Sequence, residues 1–245
     1  MNHDIVTLTI NPSLDKSTKF SGLTADQKIR CDTPNYDAGG GGINVSKAIS
    51  RLGGESLCVF TSGGPSGSMI ESLLAKEAIQ IQAIPVQKWT RENMIAVDTS
   101  ANKQYRFGFP GAELSDDEVQ LIKSTIQRLK PKFLIASGSL NEGLSSDFYN
   151  NLAISAANSG TKFIADTSGK ALRQVLDAGV YLAKPNVGEL AKLIGVKKLE
   201  VDEADDAART LIDNGNAEIV VVSLGPQGAV LVTKNEKFMF LLRMS

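Results

Sequence analysis

Histidine and cysteine are almost missing from this chain of 245 residues, which has one histidine, His3, and two cysteines, Cys31 and Cys58. So few soft ligands exclude a zinc cluster, and two thiols make no disulfide framework. A histidine-based catalytic triad has no base to call on except an imidazole third from the end, where chains fray. An excess of one charge is missing too: 26 basic and 27 acidic residues leave a net charge of −1. Without a long Lys or Arg run, a duplex nucleic-acid binder is disfavoured and no nucleic-acid partner is expected. No segment approaches the about 18 consecutive apolar residues of a membrane span, and the N-terminus lacks the basic-then-apolar order of a secretory leader. The expectation is a cytoplasmic protein without a membrane partner. What is present is ordinary globular usage, 42% apolar and 22% charged, which excludes disorder, collagen and coiled coil. The length suits one large domain, or one domain with an inserted lobe.

Strand and helix signals alternate along most of the chain. Ile5–Ile10 is β-branched and reads as a first strand. Ile43–Leu52 has helical apolar spacing and stops at Gly53-Gly54. Ser56–Thr61 reads as a strand and Ser68–Ala78 as a helix. Ser115-Asp116-Asp117-Glu118 is a capping box that opens a helix running to Lys130, stopped by Pro131. Strands are expected at Phe133–Ala136, Lys162–Asp166, Tyr181–Ala183, Ile219–Val222 and Gly228–Val232, with helices at Phe148–Asn158, Val187–Ile194 and Asp205–Asn214. Such alternation predicts an α/β fold, a mainly parallel sheet covered by helices on both faces. Residues 16–37 and 93–109 break the rhythm, being polar and strand-like with no helix. Met94–Asp98 and Gln104–Phe109 resemble a hairpin. These stretches, within about 16–37 and 88–110, read either as a small β lobe forming a lid over a site or as plain surface hairpins.

Several stretches carry chemistry. The glycines of Gly39-Gly40-Gly41-Gly42-Ile43-Asn44 precede a helix, so backbone amides can approach a ligand with no side chain in the way. The stretch lacks a P-loop ending and follows no buried strand, so neither nucleotide fingerprint fits. Asp15, after the first strand, is placed either to accept hydrogen bonds from sugar hydroxyls or to close a turn. Arg91 and Arg106, in the β lobe, have the fork that matches a phosphate; the bland alternative is a solvated arginine. In Lys184-Pro185-Asn186-Val187-Gly188-Glu189, Asn186 and Glu189 share a helix face and suit a hydrated Mg²⁺, or else Asn186 simply caps the helix. Ser223-Leu224-Gly225-Pro226-Gln227-Gly228 joins two strong strands, as a nucleotide-facing connection or as a tight turn.

Taken together, Thr9–Asp15, Gly39–Gly54, Ser137–Leu140, Asp166–Gly169, Lys184–Glu189 and Val222–Gly228 resemble the PfkB (ribokinase-like) family of carbohydrate kinases. Their order and spacing match up to about Phe240. Gly39–Asn44 without a lysine, Thr90-Arg91-Glu92-Asn93 and Gln104-Tyr105-Arg106-Phe107 point to its 6-phosphofructokinase branch. The resemblance implies one ribokinase-like domain over 1–245, a three-layer α/β/α sandwich with a small β lid. It also implies ATP-dependent phosphorylation of fructose 6-phosphate at its 1-hydroxyl, with ATP and Mg²⁺. On it, Asp15, Gly39, Gly40 and Asn44 hold the sugar hydroxyls, and Arg91 and Arg106 bind the existing phosphate with Lys28 and Ser139 nearby. Lys184 meets the nucleotide phosphates, Asn186 and Glu189 position Mg²⁺ through water, and Ser223, Gly225 and Gly228 line the nucleotide pocket. A homodimer through the β lid is implied as well.

The family's Gly-Ala-Gly-Asp stretch, which supplies its base and anion hole, is not among these 245 residues. The fold is therefore expected to lack the family's C-terminal portion, with no catalytic base assigned and at most trace turnover. The final Leu241-Leu242-Arg243-Met244-Ser245 departs from the family pattern in the way a shifted reading frame would produce. Two further readings stand beside the kinase: a catalytically dead phosphosugar-binding remnant or subunit partner, and a 1-phosphofructokinase or tagatose-6-phosphate kinase.

Overall fold

A computed structural model describes residues 3–241. They fall into two compact units, one of Thr7–Ile122 with Leu140–Leu144, the other of Lys123–Ser139 and the chain from Ser145 onward with the residues before Thr7. β1 (Ile5–Thr9) and, later, α3 (Asp116–Leu129) each give residues to both.

The N-terminal unit continues with β2 (Ser13–Phe20), β3 (Asn35–Gly39), α1 (Gly41–Arg51), β4 (Leu57–Ser62), α2 (Gly64–Lys76), β5 (Gln80–Pro85), β6 (Arg91–Asp98) and β7 (Lys103–Gly108). β4 runs parallel to β5. The remaining four strands form a separate sheet in the order β3-β2-β6-β7. In it β2 pairs antiparallel with β3 and parallel with β6, and β6 pairs antiparallel with β7. This sheet is built from the two polar, alternating stretches of the sequence. Asp15 sits inside β2 rather than in a turn, so the turn alternative is corrected: its neighbours Leu14 and Ser13 are buried and hold the strand in place. The core of this unit is made by Leu14, Ile43, Cys58, Phe60, Ile70 and Leu74, drawn from β2, α1, β4 and α2. At about 0.8 kcal/mol per buried CH₂, these side chains dominate the local stability. Burial pushes the Cys58 thiol up, against the opposing influence of Thr7, Ser46 and Lys47, so it behaves as a small apolar group.

The C-terminal unit contains β8 (Phe133–Ser137), α4 (Phe148–Asn158), β9 (Lys162–Asp166), α5 (Gly169–Asp177), β10 (Val180–Ala183), α6 (Val187–Leu193), α7 (Ala204–Asp213), β11 (Ala217–Ser223), β12 (Ala229–Thr233) and β13 (Lys237–Phe240). Strand order is β13-β12-β11-β10-β9-β8. β8 to β11 are parallel, and β12 and β13 turn back antiparallel. Alternate residues, among them Phe163, Ala165, Val220, Val222, Val230 and Val232, are fully buried. α4, α5, α6 and α7 all pack on this sheet. Among the described residues no helix is long and apolar enough to cross a membrane. The last residues of the frame-shift expectation, 242–245, lie outside the described residues.

Candidate active site

The N-terminal unit carries the sugar-side residues expected from the sequence except Ser139, and the C-terminal unit carries the nucleotide-side ones. In the N-terminal unit the register of β2 and β6 sets Ser13 beside Arg91 and Asp15 beside Asn93. Ser13 donates to Oδ1 of Asp15 at 2.7 Å, and the Asn93 side-chain amide donates to the same oxygen at 2.9 Å. The other oxygen, Oδ2, lies over Gly39, where a β-carbon would stand only 2.3 Å from it. Gly39 is therefore glycine because the Asp15 carboxylate occupies the space. Gly40 and Gly42 are packed as tightly: added β-carbons would meet Thr9 at 2.6 Å and Leu8 at 2.7 Å. Gly40 also has φ of 133°, which only glycine adopts freely. The Thr9 hydroxyl accepts the N–H of Ile43, in the first turn of α1, at 3.0 Å. Asn44 is exposed on the first turn of α1, its N–H donated to Gly40 at 2.9 Å.

Arg91 is half-buried and loosely held. Its fork donates to the Phe109 carbonyl at 3.3 Å, to the Asn11 carbonyl at 3.4 Å and to Oδ1 of Asn93 at 3.4 Å. All three are long for N–H···O bonds, and Nε is buried with no partner. Burial pulls the guanidinium below its ordinary value, with nearby Asp15 pushing the other way. An under-satisfied cation beside a carboxylate with a free edge suits a ligand that is anionic at one end and rich in hydroxyls at the other. Arg106 lies one pair further along the same face, opposite Ile95, and its Nε donates to Gln104 at 3.1 Å rather than into this cluster. Lys28 is exposed in the connection between β2 and β3. Ser139 belongs to the C-terminal unit, exposed just beyond β8. Asn93, which supplies the central amide, stands in the Thr90-Arg91-Glu92-Asn93 stretch that carries the resemblance, but with no role attached to it. What an asparagine does there is not legible until the strand register is known.

In the C-terminal unit the carboxyl ends of β9, β10 and β11 come together, the position where open α/β sheets bind ligands. Asp166 ends β9, accepting from Ser137 Oγ at 2.9 Å and pairing with Lys184 Nζ at 2.9 Å. Beneath it, burial first and the Asp166 charge second push the fully buried Tyr149 phenol up, so it stays protonated. Asn186 bridges to Ser223, and the Ser223 N–H donates to Pro185 at 3.0 Å, so two of the predicted nucleotide segments are joined. Asn186 and Glu189 form a reciprocal capping box on α6, with both N–H···O distances 2.9 Å. That box accounts for both side chains as helix caps and fixes the Glu189 carboxylate. Gly225 has φ of 61° in the tight turn after β11. At Gly228 a β-carbon would stand 1.8 Å from the Phe240 carbonyl, so chain packing alone requires glycine there. Among the described residues no cluster of three His, Cys, Asp or Glu side chains is arranged to hold a metal directly.

This chain belongs to the pfkB family of carbohydrate kinases, whose sequence model matches residues 7–241. It is 40% identical over 238 residues to the ATP-dependent 6-phosphofructokinase isozyme 2 of Mycobacterium tuberculosis, covering 96% of this chain and 70% of that protein. It is 38% identical over 228 residues to the protein of the same name from Escherichia coli K12, covering 92% of this chain and 74% of that one. The crystal structure of phosphofructokinase-2 from Escherichia coli in complex with fructose-6-phosphate superposes with a TM-score of 0.92 at 36% identity, over 98% of this chain and 80% of that one. The ribokinase-like α/β fold, with its mainly parallel sheet and flanking helices, is thus the fold of this chain.

Proposed function

We propose that this chain is a sugar-phosphate kinase that transfers the γ-phosphoryl group of ATP to the 1-hydroxyl of fructose 6-phosphate, giving fructose 1,6-bisphosphate. The observation that carries the reading is the Asp15–Asn93–Arg91 cluster: a carboxylate edge for hydroxyls beside an under-satisfied guanidinium for a phosphate. The names of the relatives at 40% and 38% identity support it. In this reading Asp15, Gly39, Gly40 and Asn44 hold the sugar, and Arg91 and Arg106 its phosphate, aided by Lys28. The four-stranded sheet serves as the lid and as the face of a homodimer. Lys184, tethered by Asp166, takes the nucleotide phosphates beside Ser223, Gly225 and Gly228. Hard oxygen donors suit Mg²⁺, and Glu189, its carboxylate set by the capping box, would hold the ion through water with Asn186 beside it. Bound there, Mg²⁺ would supply positive charge to offset that of the phosphates. A cytoplasmic setting fits ATP as phosphoryl donor.

Calorimetric titration of the 245-residue chain tests both halves without relying on turnover. Fructose 6-phosphate is expected to bind, and Arg91→Ala to weaken it roughly tenfold to 150-fold, by about 1.5–3 kcal/mol for a charge-assisted pair, leaving ATP binding intact. Glu189→Gln keeps the cap, since glutamine serves in a capping box, and is expected to abolish the preference for ATP with Mg²⁺ over ATP without it. Equal loss of both ligands in Arg91→Ala, or an unchanged Mg²⁺ effect in Glu189→Gln, would overturn the corresponding assignment.

A further inference from the structure

We propose that Asn93 is a positioning residue of the sugar-phosphate site: its amide stands between the Asp15 carboxylate and the Arg91 guanidinium and keeps them from closing on each other as an ion pair. The inference rests on the sugar-phosphate reading of this site.

Asp15 and Arg91 are diagonal neighbours across the parallel β2–β6 pair, within reach of a long side chain. Opposite charges so placed attract strongly in a half-buried setting. Yet among the described residues no ion pair joins them, and the space is taken by the Asn93 amide. Only one orientation of that amide satisfies its surroundings. The Phe109 backbone N–H, 3.4 Å away, can only donate, and so can the Arg91 fork, so the oxygen faces them. The Asp15 carboxylate can only accept, so the NH₂ faces it. The result is an ordered division of labour. Oδ1 of Asp15 is occupied by Ser13 and Asn93, which leaves Oδ2, over Gly39, for a hydroxyl. Arg91 rests on two backbone carbonyls and one amide oxygen, neutral acceptors that an anionic phosphate displaces more readily than it would a carboxylate. Without the amide, the guanidinium would settle on Asp15 and both ends of the sugar phosphate would lose their partner at once.

This predicts a sign change that a merely structural asparagine would not give. Asn93→Ala is expected to lower fructose 6-phosphate affinity at least about tenfold, a loss of ~1.4 kcal/mol, with MgATP affinity and melting temperature little changed. Asp15 also meets the sugar, so the reversal is read with inorganic phosphate, which needs Arg91 and not the carboxylate. Asn93→Ala is expected to weaken it, and adding Asp15→Asn, which removes the charge that captures Arg91, to restore part of that loss. Unchanged fructose 6-phosphate affinity in Asn93→Ala overturns the proposal, and so does a double variant that binds inorganic phosphate no more tightly than the single one. Asn93→Leu, near in shape and unable to bridge, carries the same comparison if Asn93→Ala does not fold. If the unaltered chain fails to bind fructose 6-phosphate, the proposed function falls. The crystal structure of the variant then decides the present point. Arg91 moved onto Asp15 upholds it, and Arg91 still resting on the Phe109 and Asn11 carbonyls overturns it.

Discussion

Gly39 leaves no room for a β-carbon, and what fills that room is the free edge of Asp15. A methyl group there must push the carboxylate aside, an overpacking of about 1–3 kcal/mol. Gly39→Ala is therefore expected to weaken fructose 6-phosphate by roughly fivefold to 150-fold, the same free energy read as affinity. Calorimetric titration checks this beside a thermal melt. Unchanged affinity would mean that Oδ2 of Asp15 is not the atom that meets the sugar. Glycine at 39 and aspartate at 15 could be singled out in the sequence because each type does something no other residue does. Their dependence on each other could not, because the 2.3 Å approach exists only once β3 lies along β2. Asn93 was still less visible, since its chemistry depends entirely on two neighbours that the register supplies.

At the scale of elements, local chemistry announced some boundaries and concealed others. The capping box at Ser115 was legible and forms as read. The Ser115 N–H donates to Glu118 at 2.7 Å, and Ser115 Oγ accepts from the Glu118 N–H at 3.3 Å. Helix Phe148–Asn158 and strand Lys162–Asp166 match their sequence patterns residue for residue. β5, α5 and β13 escaped notice. β5 alternates glutamine with small or apolar residues and ends on Pro85, and β13 is four residues long and exposed throughout. α5 is held by its apolar stripe of Ala171, Leu172, Val175 and Leu176 after an uncapped start. The β6–β7 turn has its own electrostatic lock. Asp98 accepts from Ser100 Oγ at 2.7 Å and from the backbone N–H of Gly22 and of Ser100, both at 3.0 Å. These bonds, the Ser100 hydroxyl foremost, hold its carboxyl down at about 2. The folded value lies below the unfolded one of about 3.9, so this contribution is complete above pH ~4 and is lost as pH falls toward 2. Urea midpoints measured across that interval should fall more steeply for the parent than for Asp98→Asn, which has no proton to take up. Parallel curves would remove Asp98 from the acid response.

For the whole molecule, the strand–helix alternation was enough to fix an α/β architecture, because long buried strands and amphipathic helices leave strong periodic signals. The gathering of the described chain into two units was not legible, since β1 and α3 serve both. One pairing in the small sheet has a consequence in time rather than in space. β2 and β6 are parallel, and parallel neighbours cannot be joined by a tight turn. The crossover between them is residues 21–90, which include α1, β4, α2 and β5, and the Asp15–Asn93 bond spans 78 positions of sequence. Contacts of such high order form slowly, because the long loop must be closed before they repay its entropy. The sugar-side cluster is thus a late product of folding and cannot assemble ahead of the core strands threaded between its halves. In refolding from urea, fructose 6-phosphate binding should recover no earlier than the helical circular-dichroism signal. Binding regained before that signal would show that the small sheet forms independently.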